Sequence, residues 1–184
     1  MKFKFLPLIF LFFATSAFAQ IDFGIKAGLN VSNIEYNVRD ANPEGSTGFY
    51  AGTFVNFQLP SNFELQPEVL YSQEGIKDGS IDFVKVPLVF KWNFFDGINI
   101  HAGPQFAVVV DAEGGTNGLN QMGIDGVFGL GYETPGGFMI TTRYNMGITS
   151  VIDRDFKVDS GMGYLVTGFQ GWTRNLQLGI GYKF

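Results

Sequence analysis

The chain has 184 residues, 46% hydrophobic and only 16% charged, with 25 glycines and no cysteine. Soluble domains carry about 25% charged residues, yet no apolar run after residue 20 reaches the roughly 18 residues that a membrane helix needs. The missing cysteine excludes disulfides, thiolate metal sites and a cysteine-anchored lipoprotein.

The first segment differs from the rest. Lys2 and Lys4 form a short positive region, "FLPLIFLFF" (5–13) is a compact apolar run, and Ala17-Phe18-Ala19 fits small-x-small cleavage. This predicts a secretory signal peptide over 1–19 and a mature domain over 20–184. An uncleaved anchor helix is the alternative, and the apolar run is too short for it. Loss of Lys2 and Lys4 leaves ten basic and seventeen acidic residues, a net charge of −7. A nucleic-acid partner needs a basic face, so none is expected.

Period-two alternation then recurs eight times, the mark of strands with one apolar face. The first segment sets Phe23, Ile25, Ala27, Leu29 and Val31 against Gly24, Lys26, Gly28 and Asn30. The second puts Phe49, Ala51, Thr53, Val55 and Phe57 on one face, and the third puts Phe63, Leu65, Pro67, Val69 and Tyr71 opposite Glu64, Gln66 and Glu68. In the fourth, Val84 to Trp92 alternate with Lys85, Pro87, Val89 and Lys91. In the fifth, Ile98 to Val108 alternate with Asn99, His101, Gly103 and Gln105. The sixth sets Met122, Ile124, Phe128, Leu130 and Tyr132 against Gly123, Asp125, Gly129 and Gly131. The seventh sets Phe138 to Ile148 against Thr141, Arg143, Asn145 and Gly147, and the eighth is "RNLQLGIGYKF" (174–184).

The connections alternate too. "QLPSN" (58–62), "NFFDG" (93–97) and "ETPGG" (133–137) are short and rich in turn formers. Longer ones are expected near 32–47, 73–81, 110–120 and 149–172. Eight strands, short-turned at one end and long-looped at the other, describe an all-β, antiparallel up-and-down meander with both termini at the short-turn end.

A soluble sandwich would bury the apolar face, whereas a membrane barrel turns it to lipid. The export signal favours the barrel. So do Phe23, Phe57, Phe63, Trp92, Tyr132, Phe138, Tyr182 and Phe184. All lie on the apolar face at short-turn ends, as an aromatic girdle at the membrane–water interface requires. The other face mixes Lys26, Lys85, Lys91, Arg143 and Lys183 with Glu64, Glu68 and Asp125. An eight-stranded lumen is just wide enough for such side chains to fill and pair. The eighth segment then closes the sheet onto the first, removing edges that lipid cannot satisfy.

Several stretches resemble the PorT-like outer-membrane β-barrel family of Bacteroidetes-type bacteria. They are "FGIKAGLNVSNI" (23–34), "GFYAGTFVNFQL" (48–59), "FELQPEVLYSQEG" (63–75), "FVKVPLVFKW" (83–92), "HAGPQF" (101–106) and "LQLGIGYKF" (176–184), in that order. The resemblance implies an eight-stranded transmembrane barrel in the outer membrane, with no single activity. The family's founding member is tied to a secretion system. Members often carry an acidic residue just before the "VPL" element, where this chain has Lys85. The terminal aromatic Phe184 resembles the signal that barrel-assembly machinery reads.

No cofactor or metal is expected. His101 is the only histidine. It would need partners to ligate a metal, and a serine–histidine hydrolase needs a serine beside it, so it reads as a hydrogen-bonded lumen residue. Glu64 and Glu68 share the inward face and could serve acid–base chemistry, but the lysines of the first and fourth strands are available as counter-charges. Asp125 and Arg143, on adjacent strands, are expected in the same network. "DAEGGTNGLN" (111–120) lacks calcium-loop spacing. The stretch 152–172 is the best candidate for contact with lipopolysaccharide or a protein partner, although its flanks could equally extend the strands. The function expected is non-enzymatic and resides in the outer loops or the barrel itself. Part of a secretion apparatus is the alternative, and a lipid-modifying enzyme is a third.

Overall fold

The computed structural model describes residues 21–36, 45–76, 79–116, 118–152, 158–159, 165–166 and 170–184. The expected signal peptide and much of the 149–172 connection lie outside them.

Eight strands form a closed antiparallel barrel. They are β1 (Ile21–Tyr36), β2 (Ser46–Leu59), β3 (Phe63–Ile76), β4 (Gly79–Phe95), β5 (Ile98–Ala112), β6 (Met122–Glu133), β7 (Phe138–Gly147) and β10 (Gly171–Lys183). Each pairs with its chain neighbours, and β10 closes onto β1. Two short strands, β8 (Val158–Asp159) and β9 (Leu165–Val166), pair with each other.

The register fixes the geometry. From Ile21, successive cross-strand partners are Phe57, Leu65, Phe90, Ala102, Phe128, Tyr144, Leu176 and finally Val31. One circuit therefore returns ten residues farther along β1. A stagger of this kind forces the strands to tilt, typically by about 35–45°. Since ten is even, parity survives the circuit and one face stays outward throughout.

That outward face is the apolar one. Leu178 is 62% exposed and Ile140 45%, while Gln177 and Arg143 beside them are buried. No soluble sandwich leaves such residues bare and buries charges instead. The arrangement suits a hydrocarbon solvent, where a closed barrel satisfies every ladder hydrogen bond.

Short turns sit at the end where β1 begins and β10 finishes. Pro60–Asn62 forms a single 3-10 turn, with Ser61 and Asn62 both at φ 64°. Asp96 and Gly97 link β4 to β5 at φ 25° and 85°. A side chain at Gly97 would strike the Glu133 carbonyl. By the usual barrel polarity this end is periplasmic and the long connections are extracellular.

Three expected long connections are shorter than the composition suggests. β1 runs on to Tyr36, β5 to Ala112, and β3 and β4 reach Ile76 and Gly79. Glycine and charged residues mark these stretches as loops when read locally. The ladder of a neighbouring strand holds them extended regardless. β10 likewise begins at Gly171, inside the expected final connection.

Candidate functional site

The lumen holds the ionisable groups in three layers. Nearest the periplasm, Lys91 on β4 meets its cross-strand partner Glu64 at 2.7 Å and reaches Glu133 on β6 at 3.3 Å. Lys183 on β10 pairs with the same Glu133 and lies 3.8 Å from Asp22 on β1.

The middle layer crosses the barrel. Arg143 on β7 donates from Nη1 and Nη2 to the two Glu68 carboxylate oxygens at 2.7 and 2.6 Å. This is the bidentate fork that suits a guanidinium. Lys26 on β1 shares Glu68 at 3.1 Å, and Gln66 donates to it at 2.7 Å. Arg143 Nε donates to His101 Nε2 at 3.0 Å, so that nitrogen is the acceptor. The His101 proton then sits on Nδ1, facing Asn99 Oδ1 at 3.1 Å. Gly129, the cross-strand partner of both His101 and Arg143, leaves room for the pair. A Cβ there would lie 2.6 Å from His101 Nε2.

The third layer centres on Lys85, which donates to Glu74 and lies 3.6 Å from Asp125. Gln105 donates to Asp125 at 2.7 Å, and Ser72 and Asn175 donate to Glu74. Lys85, Glu68 and Arg143 are each at most 2% exposed. A buried ion without a partner costs several kcal/mol, so these groups are usable in the lumen only as sets.

Asp125 and Arg143, expected in one network, do not meet. Asp125 belongs with Lys85 and Arg143 with Glu68. Glu74 and Glu133 escape a reading of the sequence because they fall in an apparent loop and an apparent turn. Their signal is parity: Glu74 continues 64, 66, 68, and Glu133 continues 125, 129, 131.

Above the third layer the lumen turns apolar. Ile34, Ile81, Phe83, Ala107 and Val109 point inward and pack with Val151, which folds over from the connection after β7. The sequence reading places no such cluster in the lumen. At this level the outward neighbours Phe106, Val110 and Met122 are exposed and apolar as well, so the strands carry apolar residues on both faces.

The girdle residues Phe23, Trp92, Tyr132, Phe138, Tyr182 and Phe184 are all exposed at the periplasmic end, 41–71%, and Phe57 and Phe63 are half-buried there. Phe63 stacks on Phe90 and Trp92 with ring centres 5.2 and 6.2 Å apart, and Tyr182 meets Phe184 edge-on at 5.4 Å. Phe94 and Phe95 extend the aromatic band beyond the expected residues.

Chemically the site offers little to a reaction. Both His101 nitrogens are engaged, and among the described residues no three acidic or histidine side chains converge on a metal position. Between the first two layers the free space is about 10 Å³. A single water needs at least that much.

Over residues 16–153 the sequence matches the family described as "Outer membrane protein beta-barrel domain". The chain belongs to that family. It is a small barrel of the outer membrane. No curated protein matches it in sequence. Among solved structures it is similar to Neisserial surface protein A, at 13% identity over 88% of this chain and 97% of that one, with a TM-score of 0.58. It is also similar to Ail, the attachment invasion locus protein of Yersinia pestis, at 14% identity over 89% and 98%, with a TM-score of 0.52. A second Ail structure, in complex with the heparin analogue sucrose octasulfate, gives 0.51 at 14% identity over 90% and 99%. At these identities the likeness is one of fold.

Proposed function

We propose that this barrel is a non-enzymatic scaffold of the outer membrane, embedded in lipid and lipopolysaccharide, whose outer connections serve adhesion, envelope integrity or docking of a protein partner. The observation that carries this reading is the filled lumen. Its carboxylates and cations are consumed in pairing one another, which leaves neither an aqueous path nor a free acid–base pair. Export would use cleavage after Ala19, and insertion would use the barrel-assembly machinery.

A second reading, part of a secretion or transport apparatus, rests on the PorT-like stretches. They fall in β1, β2, β3, β4, β5 and β10 in the family's order. Crosslinking in intact cells through residues introduced at 111–120 or 149–172, followed by isolation of the barrel, separates the two. A surface or envelope partner supports docking, and recovery of secretion components supports the alternative. A lipid-hydrolysing activity lost on His101→Ala would overturn both.

A further inference from the structure

At the extracellular mouth the chain after β7 folds inward over the lumen. After β7, Ile148 donates its N–H to the Ile124 carbonyl and Ile124 donates to Thr149 Oγ1, which binds the chain to β6. The next residues turn inward. Val151 becomes 8% exposed and packs on Ile34, Phe83, Ala107 and Val109. Asn120 pins this turn from the connection after β5. Its N–H reaches the Val151 carbonyl at 2.8 Å, and its Nδ2 donates to the Ser150 and Ile152 carbonyls at 2.8 and 3.0 Å. A β-bridge joins Leu119 to Ile152, and Val151 N–H donates to the Gly171 carbonyl at the start of β10. Gly171 N–H answers to Ser150 Oγ at 3.1 Å.

Beneath the turn lies a chamber of about 20 Å³, lined by Asp125, Phe83, Ala107, Gly123, Thr149 and Thr173. It is the size of one water. Asp125, which lies 3.6 Å from Lys85, forms its polar floor. Among the described residues the periplasmic mouth has no comparable apolar cover. Its Lys183, Glu133 and Asp22 side chains are 12–16% exposed, and Glu133 lines a surface groove with Glu64 and Asp96.

We propose that residues 150–152, pinned by Asn120, are a plug that shuts the lumen from the outside alone, and that freeing the pin opens the chamber above Asp125 and Lys85 to external solvent. One aliphatic side chain does the sealing. One amide holds it in place by spending both donor hydrogens on the two carbonyls that flank Val151. All the parts lie at the roots of extracellular connections, so the plug can move without disturbing the barrel ladder.

The chain has no cysteine, so a single introduced thiol reports alone. Ala107→Cys places one under the plug, and Glu113→Cys, at an exposed position, is the control. Intact cells receive a membrane-impermeant maleimide, and folding is checked by the heat-dependent gel mobility of the barrel. Glu113→Cys is expected to label at once in every background. Ala107→Cys is expected to label slowly with the native latch, and about tenfold faster or more with Asn120→Ala or Val151→Gly, since labelling tracks the open population. Fast labelling of Ala107→Cys with the latch intact overturns the proposal, because the mouth is then not closed. So does slow labelling that neither latch variant changes, because something else is then the barrier. The comparison of the two thiols with the native latch stands even if one latch variant fails to fold.

Discussion

Glu68 is the most heavily committed side chain in the lumen. It accepts from Arg143 through both oxygens, from Lys26 and from Gln66, at 2% exposure. Replacing it with alanine strands two buried cations at once. The expected loss is about 3–5 kcal/mol of folding stability, the usual range for breaking one partner out of a buried pair. Urea titration of the barrel in lipid vesicles, read by gel mobility, checks this. Glu68→Ala combined with Arg143→Ala should cost less than the two single changes summed, because the second removes a charge the first left bare. Equal and additive losses would mean that the fork contributes nothing. Pairing of this kind is half legible in sequence. Glu64 opposite Lys91 follows from strand order and parity. That Arg143 crosses the lumen to β3, rather than serving Asp125 next door, depends on a ten-residue stagger that no local window contains.

Strand alternation is the most legible level, because lipid on one side and a packed lumen on the other impose the same period along every strand. It fails at strand ends. Glu74 and Glu133 sit where glycine and proline nearby suggest turns, yet the neighbouring strand keeps them in register. It fails again at the outer mouth, where "FAVVV" (106–110) no longer alternates polar with apolar and Val109 points inward to the plug. The β1–β10 seam shows what alternation cannot tell. Gly28 and Gly179 face each other there, and the Tyr50 ring lies over both. A methyl at 179 would collide with the Tyr50 hydroxyl and come 2.8 Å from the Ala27 carbonyl. Gly179→Ala should therefore cost about 1–3 kcal/mol, as overpacking does. On the same strand Leu178→Arg, pointing into hydrocarbon, should cost about 2–4 kcal/mol. The same vesicle titration measures both. A neutral Leu178→Arg would mean that this face is not against lipid.

For the whole molecule, the ion-pair layers and the apolar plug are closures in series, and a current must pass all of them. Purified barrel in planar bilayers is therefore expected to show no steady conductance. Removing Lys26, Glu68 and Arg143 together leaves no ion unpaired in the middle layer and clears its cross-lumen contacts. The third layer and the plug still stand above it, and the first layer below. This variant should remain silent, as should Asn120→Ala alone. Glu64 and Glu133 of the first layer line the periplasmic groove, and Lys85 can swing once its chamber is wet, so the plug and the middle layer are expected to be the two rigid barriers. Combining the triple change with Asn120→Ala should then give measurable openings, and the current should be no larger than an eight-stranded lumen permits. Steady current through the unaltered barrel would contradict the filled lumen outright. Current from the triple variant alone would show that the outer mouth admits ions with its latch in place, and the barrel would then have one rigid seal.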